Sequence, residues 1–315
     1  MYDLGIKNGT VYLNGGFFNC NIYIKNGVIT NITNEDLGCK VEENASGKLV
    51  LPGFIDPHVH FSLGVGSNIS SDDFYTGSIK GVLGGVTTYI DFLDPIKSVE
   101  EIEEAYKNRM KLAEKSVSDY AFHTTIANPK SSPEEIIKAG IEKGITSIKL
   151  FTTYADTDRR TYDKYIYDLL KLSKKYNVRV VIHAENDELV SDDKKVKVKD
   201  HEVSRPVVSE VTEVLKLAEM ARETGGLLYI VHVSCGTTVK RLKECFSKEL
   251  KSKQIILESC PHYYLFNSEI YKGEEGYLYL MTPPLRPEEE RKLLYEQIDF
   301  ITTIGTDHCP FAKEL

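Results

Sequence analysis

Several features are scarce or missing in this chain of 315 residues. No apolar run is longer than a strand, which excludes a membrane-spanning helix of about 20 residues. The N-terminal MYDLGIKNGTVY has no basic stretch leading into an apolar one, so a secretory leader is not expected. The six cysteines (Cys20, Cys39, Cys235, Cys245, Cys260 and Cys309) are scattered without a CxxC pair, and reduced thiols are the expected state. There is no dense Lys/Arg stripe, and the net charge of -8 argues against a nucleic-acid or phosphate-binding face. Tandem repeats, low-complexity tracts and long linkers are also absent; the mixed-sign stretch 192–199 reads as a solvated loop. What remains is an acidic protein with 41% hydrophobic and 27% charged residues, expected to be a cytoplasmic enzyme or scaffold.

The first fifty residues hold short β-type runs separated by Asn-Gly at 8–9, 14–15 and 26–27, which predicts a small antiparallel, sandwich-like β unit over 1–50. From Lys48 the pattern changes to apolar runs alternating with amphipathic segments. Strands are predicted at 49–61, 86–92, 119–127, 147–154, 178–185, 227–234, 255–264 and 300–308. Helices are predicted at 99–115, 133–143, 162–176, 209–224 and 237–248. Strands alternating with helices in this way imply parallel pairing, and the fold class is α/β, a (β/α)8 TIM-type barrel over 51–315.

In such a barrel, reactive groups sit where the strands end at the C-terminal face. The polar residues at those ends are His58 and His60, Lys149, His183, His232 and Asp307. His58 and His60 stand two apart, so a strand would turn both imidazoles to one face, able to share a metal. Lys149 lies between Ile148 and Leu150 on an inner strand, where an unpaired lysine is rare. Two readings are open for it. One is a structural lysine that reaches the barrel mouth or pairs with Asp91 or Glu185. The other is an amine made neutral by burial and nearby cations, which captures carbon dioxide and bridges two divalent metals as a carbamate. Taken together, the six residues form a metal-ligand set.

These residues carry a family resemblance. The order PGFIDPHVHF, SIKLFTTY, VVIHAEN, IVHVS and GTDHCPF resembles the cyclic amidohydrolases of the amidohydrolase superfamily. Within them the chain is similar to the dihydropyrimidinase and hydantoinase branch, through SSDDFYTGSIKGVLGGVTTYIDF, HEVSRPVVSE, ESCPHYYLF and TPPLRPEEER. The resemblance implies hydrolysis of a cyclic amide or ureide, a dihydropyrimidine or hydantoin, to an N-carbamoyl amino acid by a bridging hydroxide. It implies two divalent metal ions, usually zinc, with carbon dioxide held as the carbamate on Lys149. One metal would take His58, His60 and Asp307, the other His183 and His232. Asp307 would also carry the proton to the leaving nitrogen, Tyr154 would hydrogen-bond the developing oxyanion and the substrate, and Thr282 would contribute main-chain contacts to the ring amide. The implied partner is the small cyclic substrate, and the implied assembly is a homotetramer.

His123, His262 and His308 are expected to support or pack beside the site, His201 to lie in a loop or helix start, and Cys309 to be an unreactive thiol. Ser62 stands where dihydroorotases and allantoinases usually carry an arginine or asparagine, which favours the hydantoin branch, while Leu63 to Ile69 departs from the loop common there. Two alternatives stay open: a dihydroorotase- or allantoinase-like enzyme, and a non-catalytic scaffold like the collapsin-response-mediator relatives. Because Asp307 is followed by only a few residues, the last helix and the rest of the small β unit are expected to be missing from this sequence.

Overall fold

The computed structural model describes residues 1–191, 193 and 195–314; Asp192, Lys194 and Leu315, the first two from the stretch expected as a solvated loop, lie outside that description. The chain divides into two compact units, Met1–Phe54 and the residues from Ile55 onward.

The first unit is a five-stranded sheet of β1 (Tyr2–Leu13), β2 (Gly16–Lys25), β3 (Val28–Thr33), β4 (Cys39–Asn44) and β5 (Leu49–Val50). Asn14-Gly15 and Asn26-Gly27 make the two hairpin turns, all four residues having positive φ, as a tight two-residue turn with the right twist requires. Two expectations are corrected here. The sheet is mixed rather than antiparallel, since β4 and β5 both run parallel to β1. Asn8-Gly9 is not a turn but a bulge inside β1, where the register jumps between Ile6 and Gly9. Gly9 is needed there for close packing, because a Cβ would lie 2.6 Å from Val50 Cγ2.

The second unit alternates strands and helices. After β6 (Phe54–Asp56) come a small hairpin of β7 (Gly64–Val65) and β8 (Asn68–Ile69), α1 (Phe74–Leu83) and β9 (Val86–Phe92). Next are α2 (Ile102–Ala113), β10 (Asp119–Thr125), α3 (Pro133–Glu142), β11 (Ser147–Phe151), α4 (Asp163–Tyr176) and β12 (Arg179–His183). The chain continues through α5 (His201–Ser204), α6 (Val207–Thr224), β13 (Leu228–Ile230), α7 (Gly236–Cys245), α8 (Ser247–Lys251) and β14 (Ile255–Ser259). It ends with α9 (Pro261–Leu265), α10 (Glu288–Glu296) and β15 (Thr303–Ile304). Eight strands form one sheet in the order β15-β14-β13-β12-β11-β10-β9-β6. A parallel bridge between Val59 and His308 joins its two ends, with His60 N donating to His308 O and Asp307 N to His58 O, both at 2.9 Å, so the TIM-type ring closes.

The first strand is shorter than predicted. Pro52 and Pro57 have no N–H to give, so the ladder holds only Phe54–Asp56, and Leu49–Val50 pairs with β1 instead. The helices follow amphipathic spacing; α4, for example, buries Ile166, Leu169, Leu170 and Ser173 on one face. Helix α1 had no counterpart among the predicted helices, because Gly77 and Gly81 weaken its pattern. A capping box between Asp73 and Thr76 starts it, and both glycines admit a ring: a Cβ on Gly77 would lie 2.2 Å from Phe61, and one on Gly81 1.4 Å from the Tyr89 hydroxyl. Among the described residues no helix is long and apolar enough to cross a membrane.

Candidate metal and substrate site

Strand register decides which residues face the barrel interior. Neighbouring residues in a parallel sheet point to the same side, and Thr125, Lys149, Val181, Tyr229 and Ile256 are successive partners across β10 to β14. Val181 and Tyr229 pack together with Ile256 in a cluster separate from the main core, so Lys149 shares their inner layer. Its side chain is buried, with Nζ 5.3 Å from the Phe92 ring centroid and 5.5 Å from that of Phe151. Burial pushes the amine down to about 8 although Asp307 and Glu258 pull it up.

The two carboxylates considered as partners for Lys149 are engaged elsewhere. Asp91 meets Arg109 Nη2 at 3.2 Å and accepts from Phe61 N at 2.9 Å. Glu185 binds His183 and Arg205. Among the described residues no hydrogen bond or ion pair holds Lys149 Nζ.

The segments after β6 and β15 bring three ligand-type residues together. Asp307 Oδ1 lies 3.1 Å from the Nε2 atoms of both His58 and His60, and one ligand atom from each of the three falls within 4.8 Å of the others. His58 Nδ1 lies 2.7 Å from Glu258 Oε1, and Glu258, fully buried, also accepts from the Tyr229 hydroxyl at 2.5 Å and from His232 N at 3.2 Å. Asp56 ties the strand ends, its Oδ1 taking His58 N at 3.2 Å and Thr306 N at 3.1 Å. Burial would raise the Asp307 carboxyl, but His58 and His60 hold it well below the usual range. Burial likewise pushes His60 down to about 4, whereas Asp307 and Glu258 overcome burial at His58 and carry it up to about 9.

His183 and His232 end β12 and follow β13, their ring centroids 4.6 Å apart and that of His232 5.5 Å from His58. His183 Nε2 donates to Glu185 Oε2 at 2.7 Å, which leaves Nδ1 as the free ligand atom. His232 and Asp307 both adopt positive φ, 38° and 52°, an uncommon conformation for such residues that re-aims each side chain as it leaves its strand. The Nδ1 atoms of His60 and His232 are buried without hydrogen-bond partners. His58, His60 and Asp307 could hold one divalent cation, and the orphaned Nδ1 atom of His232 and the free Nδ1 of His183 leave two more imidazole donors for a second.

Tyr154 follows β11 in the left-handed region, φ 70°, and its hydroxyl lies 2.7 Å from Thr282 Oγ1. Burial, aided by Glu185, pushes the phenol up to about 12, so it stays a proton donor at neutral pH. Tyr154 and Thr282 border a cleft of about 390 Å³ that is also lined by Thr157, Lys197, His201 and Arg205. The supporting histidines take definite partners. His123 lies between Ser147 Oγ (2.6 Å) and Pro57 O (3.0 Å), His308 meets Asp72 at 2.8 Å, and His201 opens α5 and bonds Met281 O at 2.7 Å. His262 packs against Tyr263. All six cysteines are free, and burial raises the Cys309 thiol to about 12.

Sequence reading missed Glu258, Arg109, Arg205 and Arg286. Each is a charged residue that the fold buries, and only Glu258, in the apolar run IILES, carries a signal of that in the sequence.

Comparison with known proteins places the chain in a family. Residues 49–312 match the model of the Amidohydrolase family. The D-hydantoinase of Geobacillus stearothermophilus is 32% identical over 321 residues, covering 97% of this chain and 67% of that protein. The solved D-hydantoinase (dihydropyrimidinase) of a Thermus species superposes with a TM-score of 0.88 at 32% identity, over 99% of this chain and 70% of that one. The dihydropyrimidinase of Brevibacillus agri gives a TM-score of 0.89 at 27% identity, over 99% and 70%. The chain belongs to the amidohydrolase family.

Proposed function

We propose that this protein is a metal-dependent hydrolase that opens the ring of a hydantoin or dihydropyrimidine at its amide C–N bond, giving an N-carbamoyl amino acid. The observation that carries this reading is the grouping of His58, His60 and Asp307, with His232 and His183 next to His58 in turn, at the end of a barrel whose inner layer holds a buried Lys149 that pairs with no carboxylate among the described residues. In this reading the catalytic unit is the barrel from residue 51 and residues 1–50 are a separate β unit. His58, His60 and Asp307 would hold one cation and His183 and His232 the other, and Lys149, as its carbamate, would supply a ligand to both. Zinc suits this imidazole and carboxylate set. Such a pair of cations supplies Lewis-acid polarisation of the carbonyl and a lowered pKa for water.

The chain's own residues do the rest. Tyr154, kept protonated by burial, donates its O–H to the carbonyl oxygen as negative charge develops there. Thr282 holds that phenol from the other side and lends its main chain to the ring amide. Asp307 Oδ1 takes the proton released as water adds to the carbonyl and passes it to the ring nitrogen as the C–N bond breaks. Glu258 and Glu185 orient His58 and His183 through their second ring nitrogens. A tetramer working in the cytoplasm is the assembly and location that go with this reading.

The test is ring opening of hydantoin, dihydrouracil, dihydrothymine, dihydroorotate and allantoin with zinc and bicarbonate supplied. Hydrolysis of hydantoin or dihydrouracil supports the proposal. Hydrolysis of dihydroorotate or allantoin alone would move the chain to that neighbouring activity, and a metal-loaded chain inert on all five would make it a scaffold.

A further inference from the structure

Glu185 has two carboxylate oxygens, and only one is in use. Oε2 accepts from His183 Nε2 at 2.7 Å and from Arg205 Nη1, whereas Oε1 is buried without a partner. Arg205 also faces Tyr154, its guanidinium carbon 5.2 Å from the phenol ring centroid. The arginine is itself anchored. Its carbonyl accepts from Nη1 of the fully buried Arg286, whose Nε donates to Ser234 Oγ at 2.8 Å, and its N–H reaches Glu202 O at 3.1 Å. One guanidinium therefore touches both the carboxylate that orients His183 and the ring of Tyr154.

We propose that Arg205 is a positioning residue that sets the His183 imidazole and the Tyr154 phenol in a single geometry. The proposal rests on the roles assigned above to those two residues. A planar guanidinium can do both tasks at once, donating in its plane to a carboxylate and presenting its face to an aromatic ring. With Arg205 in place, the Glu185 carboxylate is held against the Nε2 edge of the imidazole and cannot swing away from it, and the Nε2–H tautomer with a free Nδ1 is maintained. The phenol gains its direction from the same contact, because Tyr154 has left its strand in a left-handed conformation and no ladder orients it.

The experiment compares Arg205→Lys and Arg205→Met in the full chain. The readouts are the imidazole nitrogen shifts of His183 in metal-free protein, cobalt affinity, and kcat and KM on hydantoin. Lysine keeps a charge for Glu185 and gives up the flat face under Tyr154. R205K is predicted to retain the Nε2–H tautomer and cobalt affinity while kcat falls. R205M is predicted to show mixed tautomers, about 10–100-fold weaker cobalt binding and a larger loss of kcat. Wild-type tautomer and cobalt affinity in R205M, or full kcat in R205K, would overturn the proposal. If R205M does not fold, R205K decides by its split between retained tautomer and lost kcat. If the wild-type chain binds cobalt but opens no cyclic amide, the functional reading fails while the tautomer and cobalt measurements still decide the role of Arg205.

Discussion

The hydroxyls of Tyr154 and Thr282 lie 2.7 Å apart although 128 residues separate them in the chain. Thr282 thereby holds the phenol at the edge of the cleft that both residues line. Removing the phenol oxygen should cost far more than removing its partner. Tyr154→Phe is predicted to lower kcat by ~10²–10³, the loss seen when one oxyanion donor is removed, with metal content unchanged. Thr282→Ala gives up one neutral hydrogen bond and should lose only roughly 2–10-fold. Steady-state kinetics alongside metal analysis checks both, and equal losses in the two variants would contradict the assignment.

Lys149 can be replaced without abandoning a partner, since its amine has none among the described residues. Lys149→Met is therefore predicted to fold with wild-type stability while its metal content falls well below the two equivalents of a binuclear site. Adding short-chain carboxylic acids, which can stand between two cations as a carbamate does, should restore part of the activity. Mass spectrometry of the intact wild-type chain under bicarbonate should show one added carbon dioxide that the variant lacks.

Glu258 accepts from both His58 Nδ1 and the Tyr229 hydroxyl. In Glu258→Gln the Tyr229 hydroxyl can turn to accept from the amide N–H₂ and donate to Thr303 Oγ1, 2.8 Å away, while His58 Nδ1 and His232 N are left with one neutral acceptor oxygen in place of a charged one. Metal affinity is predicted to fall about 10–100-fold, and stability by about 1 kcal/mol as hydrogen bonds to a charged acceptor become bonds to a neutral one. Isothermal titration and urea unfolding measure the two effects separately.

The pair Asp91–Arg109 gives a pH prediction. Burial raises the Asp91 carboxyl to about 6 even though Arg109 lowers it. The folded chain thus holds a proton that the unfolded chain has released by about pH 4, so this stability is present below that pH and is lost as pH rises through about 6. Arg109 also donates to Phe92 O at 2.7 Å and Phe61 O at 2.9 Å. Arg109→Met removes the cation, moves the window upward, and is predicted to cost about 3–5 kcal/mol at pH 8 and less at pH 5. Urea unfolding at the two pH values reads this; an equal cost at both would contradict it.

Local chemistry made part of this site legible in the sequence. His58 and His60 announce themselves by spacing, and Lys149 by standing in an apolar strand. What became of Lys149 was not legible, because Asp91 and Glu185 were equally plausible partners until folding assigned them to Arg109 and Arg205. Glu258 and Arg286 act across strands far away in sequence, and no periodicity records such a contact. The fold was read well where the pattern was regular, as in α4, and less well where two physical demands met. Asn8-Gly9 resembles a hairpin turn but answers the crowding of Gly9 against Val50 and Ala45. The glycines of α1 weaken its helical signal because Phe61 and Tyr89 need the space.

The most direct test of the account is to titrate the metal-free chain with zinc in the presence of bicarbonate and follow ring opening of hydantoin against metal bound. The account predicts that activity rises until about two equivalents per chain are bound and then levels off. Saturation well below one equivalent, or two equivalents bound with no ring opening of any cyclic amide, would contradict it.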